Sequence, residues 1–208
     1  LASVELFGME QHFDYGLFPA VASKAPAANQ GHGTAAALAA LLGDYEARGI
    51  DRGATFLLAD LTGADLTGAN LTGANLRGAK LTNAILKTSK LGKANLTGAS
   101  AAKADFTNAS GIKANLSYIN LNGATLVNTS LTSAKLDSSY LFQANLTGAN
   151  LSSITAMYSN MTSANLTNAN LTNATIDYAF MLGAITTGSV QTGAIFTGTQ
   201  MSNGTIQK

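Results

Sequence analysis

Every fifth position from Phe56 to Ile206 carries Leu or a stand-in, through Leu61, Leu66, Leu71, Leu76, Leu81 and onward to Met201. Two residues before each centre sits something small, usually Ala, as at Ala54, Ala59, Ala64 and Ala69. A register held for 31 successive units marks a solenoid, whose units bury their apolar sides against one another. A period of 2 would give a flat strand and a period of 3.6 a helix. A period of five, with inward residues at the centre and two before it, requires a corner after each short straight segment. Gly and Asn recur two residues after the centre (Gly63, Gly68, Gly73) and tolerate the positive φ of a tight corner. Four such corners close a roughly square coil of about twenty residues.

Runs such as Ala64-Asp65-Leu66-Thr67-Gly68 and Ala144-Asn145-Leu146-Thr147-Gly148 fit the pattern A(D/N)Lxx, and on them the chain resembles the pentapeptide-repeat family. The resemblance covers about three quarters of the chain. It implies an all-β solenoid, a right-handed quadrilateral parallel β-helix of about eight coils and roughly 37 Å in length. Centres weaken at Ala101, Gly111, Ala156, Thr186 and Gln191, where local distortions are expected rather than domain breaks.

The repeat defines a domain at 54–208, and what precedes it does not keep the count. Residues 1–33 mix Phe7, Phe13, Tyr15 and Phe18 with Pro19, Pro26 and several glycines, which reads as an irregular N-terminal arm. Thr34 is a candidate N-cap for a helix over 34–49, with Leu38, Leu41, Leu42 and Tyr45 on one stripe and Gly49 as its stop. A solenoid end is an open apolar cross-section, so this helix is expected to cap it. The same reasoning predicts an uncovered C-terminal end, because Ile206 still falls in phase.

Laid on four sides, with residues twenty apart in register, the sequence becomes a surface map. Cations form a girdle around the N-terminal half: Arg77, Lys80, Lys87, Lys90, Lys93, Lys103 and Lys113, against Asp105 alone in the same stretch. Its plain role is solubility; its functional role would be to dock an acidic partner or anionic headgroups. Aromatic residues collect in the C-terminal half. Tyr118, Tyr158 and Tyr178 share one position on one side, and Tyr140, Phe142, Phe180 and Leu182 point outward on the next, with Met157 nearby. An apolar edge of this kind is a candidate partner-binding surface; the alternative is packing against the N-terminal arm.

Catalysis finds little support. The only histidines, His12 and His32, lie outside the repeat, and two residues do not define a metal centre. Gly31-His32-Gly33-Thr34 before a helix could hold an anion, but is too short to be a signature. With no cysteine, thiolate metal sites and disulfides are excluded. No catalytic residue, cofactor site or metal site is assigned, and the chain is read as a non-enzyme. Asn-x-Ser/Thr at Asn70, Asn95, Asn145 and Asn165 follows from the repeat itself and does not signal glycosylation.

Some members of the family act as DNA mimics against gyrase, which needs regular negative charge. Residues 54–208 hold nine Lys/Arg against five Asp/Glu, the wrong sign, and no nucleic-acid partner is expected. Ice binding through Thr147, Thr167 and Thr187 is disfavoured because Lys87 and Val127 interrupt their row. The longest apolar stretch, Ala35 to Leu42, is too short to span a bilayer. The expectation is therefore a rigid scaffold, an accessory subunit that binds protein. Leu-centred, weakly charged repeats resemble cyanobacterial and plastid members, several of them in the thylakoid lumen. That resemblance implies a lumenal subunit on a membrane-embedded photosynthetic complex, with periplasm or cytoplasm as alternative locations. The alternative function is a free-standing homodimer joined through the C-terminal coil.

Overall fold

The computed structural model describes residues 60–208. The arm at 1–33, the capping helix at 34–49 and both histidines lie outside the described residues.

One repeat unit accounts for all five of its backbone N–H groups, which explains each letter of the pattern. Asn145 N–H donates to the Ala124 carbonyl of the coil before (2.9 Å), while Leu146 and Gly148 donate to Asn165 and Thr167 of the coil after (2.7 and 2.9 Å). Ala149 closes the corner on the Leu146 carbonyl at 3.0 Å. The remaining N–H, of Thr147, is taken by the Asn145 side chain at 3.1 Å. The Thr147 hydroxyl adds a second bond to the same oxygen at 2.6 Å. Asn or Asp stands before the centre because a short side-chain oxygen there satisfies the one donor that no backbone carbonyl of a neighbouring coil takes.

Repeated along the chain, these bonds build four ladders of parallel bridges with a spacing of twenty residues. They start at Asp60, Asp65, Asn70 and Asn75 and run to Gln200, Ile185, Val190 and Ile195. Each centre except Ile176 accepts at its carbonyl from the N–H three residues ahead, and the second residue between them has φ near 60° at every corner from Gly63 to Gly198. Positive φ confined to that position defines a type II turn. Glycine suits it, yet seventeen other residues also adopt it, including Thr88, three lysines (Lys93, Lys103, Lys113) and three tyrosines (Tyr118, Tyr158, Tyr178). Those that are not asparagine accept a cost of about 1–2 kcal/mol that glycine would avoid.

Inside, Leu and Ala from all four sides form one continuous core. The weak centres are absorbed by their neighbours. Gly111 leaves a gap in the coil where Phe106 and Ile119 are oversized, and Leu131 from the next coil reaches so far in that a Cβ on Gly111 would meet it at 2.8 Å. Only a small void, lined by Leu91, Phe106, Thr129 and Leu131 among others, remains beside it. Ala156 is matched by Ile154 two positions earlier, and both are fully buried. Polar residues at the small inward position mostly bond to backbone: Thr129 to the Phe106 carbonyl (2.8 Å), Ser139 to Leu136 (2.6 Å) and Ser159 to Ala156 (2.8 Å). The Ser89 hydroxyl is buried without a partner.

The C-terminal coil departs from the expected pattern. Its inward positions turn polar at Thr186, Ser189 and Gln191, while the outward positions Ile185, Val190 and Ile195 turn apolar. Gln191 Nε2 bonds the Ser189 hydroxyl at 2.8 Å over the open end. Ile206 is not a centre. After a turn at Met201–Gly204 the chain reverses, Ile206 pairs antiparallel with Gln200, and its side chain is 59% exposed. The expectation of a wholly uncovered end is corrected on that side: the tail itself pairs there, through Gly198 to Gln207 (2.7 Å) and Gln207 to Thr199 (3.0 Å).

Candidate functional site

The candidate aromatic surface stands on one corner of the column, the ladder that follows it and the next corner. Backbone bonds stack Gly78, Gly98, Tyr118, Ser138, Tyr158, Tyr178 and Gly198 above one another at the first corner. The rings of Tyr158 and Tyr178 are parallel, with centroids 5.3 Å apart and planes 11° from each other. The Tyr178 ring lies under Gly198, whose hypothetical Cβ would come within 2.5 Å of it. Tyr118 stands two coils below Tyr158, with Ser138 between. Exposure follows this order: Tyr118 is 61% exposed, Tyr158 58% and Tyr178 47%.

Tyr140 and Phe180 lie on the Asp60 ladder with Asn160 between them. Phe142 and Leu182 share the next corner with Thr162 between them. Met157 is half-buried beside Tyr158. The eight residues thus share one edge but form bands, separated by Ser138, Asn160 and Thr162.

Replacing Asn before a centre removes the local acceptor, and the coil beneath supplies another. Asn122 accepts from Phe142 N–H (3.0 Å), Asp137 from Met157 N–H (3.0 Å) and Asp177 from Thr197 N–H (2.8 Å). Asp137 also accepts from the Thr155 hydroxyl at 2.8 Å. A second substitution occurs at Thr199, whose hydroxyl accepts from Ala179 N–H (3.2 Å) and donates to the Ile176 carbonyl. It takes the place of the direct turn bond at the Tyr178 corner.

The cations of the basic girdle are distributed over several sides of the column, and two of them are paired. Lys80 pairs with Asp60 (3.4 Å) and Lys87 with Asp105 (3.2 Å). Hydrogen bonds from the Thr62 hydroxyl and N–H, aided by Lys80, hold Asp60 below the usual carboxylate range against its slight burial. Burial raises the Asp105 pKa, but the Thr107 hydroxyl and N–H, with Lys87, outweigh it and leave that pKa lowered. Arg77 and Lys103 sit on adjacent corners, those of Tyr118 and Phe142 respectively. Lys90, Lys93 and Lys113 gather at the corner opposite Phe142, joined by Lys135 on the adjoining ladder. Among the described residues, that corner and its two flanking ladders carry no Asp or Glu. The sequence map overlooked Lys135 and the apolar outward set Ile185, Val190 and Ile195, although the swap of polarity in Ala184-Ile185-Thr186 and Ser189-Val190-Gln191 signals the latter.

Among the described residues no group of His, Asp or Glu could hold a metal ion, and no helix is long and apolar enough to cross a membrane. Four parallel ladders joined by type II corners around a Leu and Ala core define a four-sided β-solenoid. The model for pentapeptide repeats matches in eight copies, over residues 59–98, 89–126, 114–153, 134–173 and 157–190, and the chain belongs to that family. Its members form right-handed quadrilateral β-helices and are in general structural, non-catalytic proteins.

Among solved structures the chain is similar to HetL, a pentapeptide repeat protein involved in heterocyst differentiation regulation from the cyanobacterium Nostoc sp. strain PCC 7120. Identity is 27% over 74% of this chain and 88% of that one, with a TM-score of 0.35. It is similar also to trypsin-treated QnrB1, a plasmid-mediated fluoroquinolone resistance protein, at 17% identity over 67% of this chain and 80% of that one, TM-score 0.46. A third is a pentapeptide repeat protein of the Arabidopsis thaliana thylakoid lumen, at 22% identity over 77% and 74% of the two chains, TM-score 0.16. No curated protein matches the chain.

Proposed function

We propose that this chain is a non-catalytic interaction subunit: a rigid β-helical post of about eight coils that docks onto a larger protein assembly by its aromatic edge. One observation carries the reading. Tyr118, Tyr158 and Tyr178 hold positive φ, where glycine or asparagine would fold with less strain, and yet remain about half exposed to water. Side chains kept against a local cost and left largely uncovered are those expected at a binding surface. The setting that belongs with this reading is the thylakoid lumen, with a membrane-embedded photosynthetic complex as the assembly. Its support is the likeness of the Leu-centred, weakly charged repeats to plastid and cyanobacterial members. Purification in mild detergent tests it. The wild-type chain should leave the column with its assembly, and the double variant Tyr158→Ser, Tyr178→Ser should leave alone. Retention of the assembly by the double variant would remove the aromatic edge from consideration.

The alternative is a homodimer joined through the C-terminal coil. The apolar outward residues Ile185, Val190 and Ile195 favour it, since they place exposed apolar surface on three further sides of that coil. Sedimentation equilibrium of the isolated chain separates the two: a dimer lost on replacing Ile185 and Val190 by Asn supports self-association, and a monomer removes it.

A further inference from the structure

The Tyr118 corner is a ladder of rings with one rung missing. Tyr158 and Tyr178 show that rings on successive coils stack at 5.3 Å. Tyr118 and Tyr158 stand two coils apart, roughly 10 Å, which leaves about 5 Å from each to a group placed midway, within the range of offset-stacked rings. Ser138 occupies that level. It has the same backbone conformation as the tyrosines, φ 55° against 56–60°, so nothing in the main chain prevents a ring there. Its half-buried side chain is too short to bridge the two rings, and Tyr118 and Tyr158 remain 61% and 58% exposed.

The carboxylate of this coil is Asp137, with Lys135 two residues before it on the adjoining ladder and not paired to it. Asp137 precedes Ser138, and its bonds to Met157 N–H and the Thr155 hydroxyl aim the carboxylate toward the Tyr158 level. Each oxygen keeps acceptor capacity beyond those bonds. No cation pairs with Asp137 among the described residues. The occupant must therefore be flat, to lie between two phenol rings, and positive, to answer the carboxylate. Among side chains that carry a full charge at neutral pH only guanidinium is both: it stacks on aromatic faces and directs its N–H groups at a carboxylate in its own plane. Lysine supplies the charge without the plane.

We propose that the gap over Ser138, between Tyr118 and Tyr158 and beside Asp137, receives an arginine side chain of the protein partner. This rests on the reading of the aromatic edge as the docking surface and specifies one anchor within it.

The test uses the full chain with tyrosine rings labelled for NMR, titrated with N-acetyl-arginine amide, N-acetyl-lysine amide and N-acetyl-tyrosine amide. The arginine probe should shift the Tyr118 and Tyr158 ring signals more than the Tyr178 signals, and several-fold more strongly than the lysine probe does. Asp137→Asn should weaken the response about threefold. Ser138→Tyr, which supplies the missing ring, should abolish it. Tyr118→Ser, which removes the floor, should do the same and serves if the first variant misfolds. Equal responses to arginine and lysine, or an arginine response that survives both Ser138→Tyr and Tyr118→Ser, would overturn the proposal. A stronger response to the tyrosine probe would overturn it too, in favour of a neutral ring. Failure here leaves the detergent experiment untouched: an assembly still released by the double tyrosine variant would keep the edge and discard the arginine.

Discussion

Two glycines separate the cost of the corner from the cost of crowding the ring. Gly98 and Gly198 lie on the same corner with nearly equal φ, +68° and +66°. A Cβ on Gly98 meets nothing within 4 Å, whereas one on Gly198 comes within 2.5 and 2.6 Å of two Tyr178 ring carbons. Gly98→Ala therefore reports the left-handed conformation alone, about 1–2 kcal/mol. For a column of this length, that lowers Tm by about 2–8 °C. Gly198→Ala bears the same cost and must also move the ring by roughly 1 Å to reach ordinary carbon contact. The Tyr158–Tyr178 stack then loses up to about 1.5 kcal/mol. Thermal melts read the shared cost, and the near-ultraviolet circular dichroism of tyrosine reads the stack. The stack signal should fall in Gly198→Ala and persist in Gly98→Ala. A Gly98→Ala melt unchanged from wild type would refute the corner geometry. An unchanged tyrosine signal in Gly198→Ala would refute the placement of the ring.

Further outcomes follow from the core and the surface ions. Gly111→Ala should destabilise by about 1–3 kcal/mol in denaturant unfolding, because the new methyl meets Leu131 at 2.8 Å within a packed interior. Ser89→Ala should stabilise by about 1 kcal/mol, since its hydroxyl is buried without a partner. Asp60 and Asp105 both have folded pKa values below the ordinary 3.8. Their contribution is complete above that value and is lost as pH falls through the lowered folded values. Melting temperature should therefore decline below about pH 4 on their account, and Asp105→Asn should make that acid decline shallower.

The five-residue count reveals the scaffold because it is a repeated local rule. Leu146, Asn145, Thr147 and Gly148 each serve a bond or a contact that the same unit, or its copy twenty residues away, defines. Surface readings were less complete because they depend on how high a side chain reaches. The pattern puts Tyr118 and Tyr158 on one corner, but only coordinates show the Tyr158 and Tyr178 rings parallel and the Tyr178 ring beneath Gly198. Asn122, Asp137 and Asp177 look idle in sequence because each caps an N–H in the following coil, where the usual Asn is missing. Lys80 and Lys87 count as cations in the sequence and are largely answered by Asp60 and Asp105 in space. Ile206 misled for a simple reason: phase is a property of spacing, and a reversal of the chain leaves spacing intact.

The twenty-residue bridge spacing makes the molecule a rotary dial as well as a post. Removing one whole pentapeptide between Lys113 and Tyr140 would preserve every buried position yet turn all later coils a quarter turn against the earlier ones. The later part of the aromatic edge, from Tyr140 to Leu182, and the lysines Lys90, Lys93 and Lys113 would then face new directions relative to each other. Removing four units would shorten the column and restore the original bearing. The angle between the two surfaces is thus stored as a whole number of repeats, and changes in length alone can re-aim it in steps of a right angle.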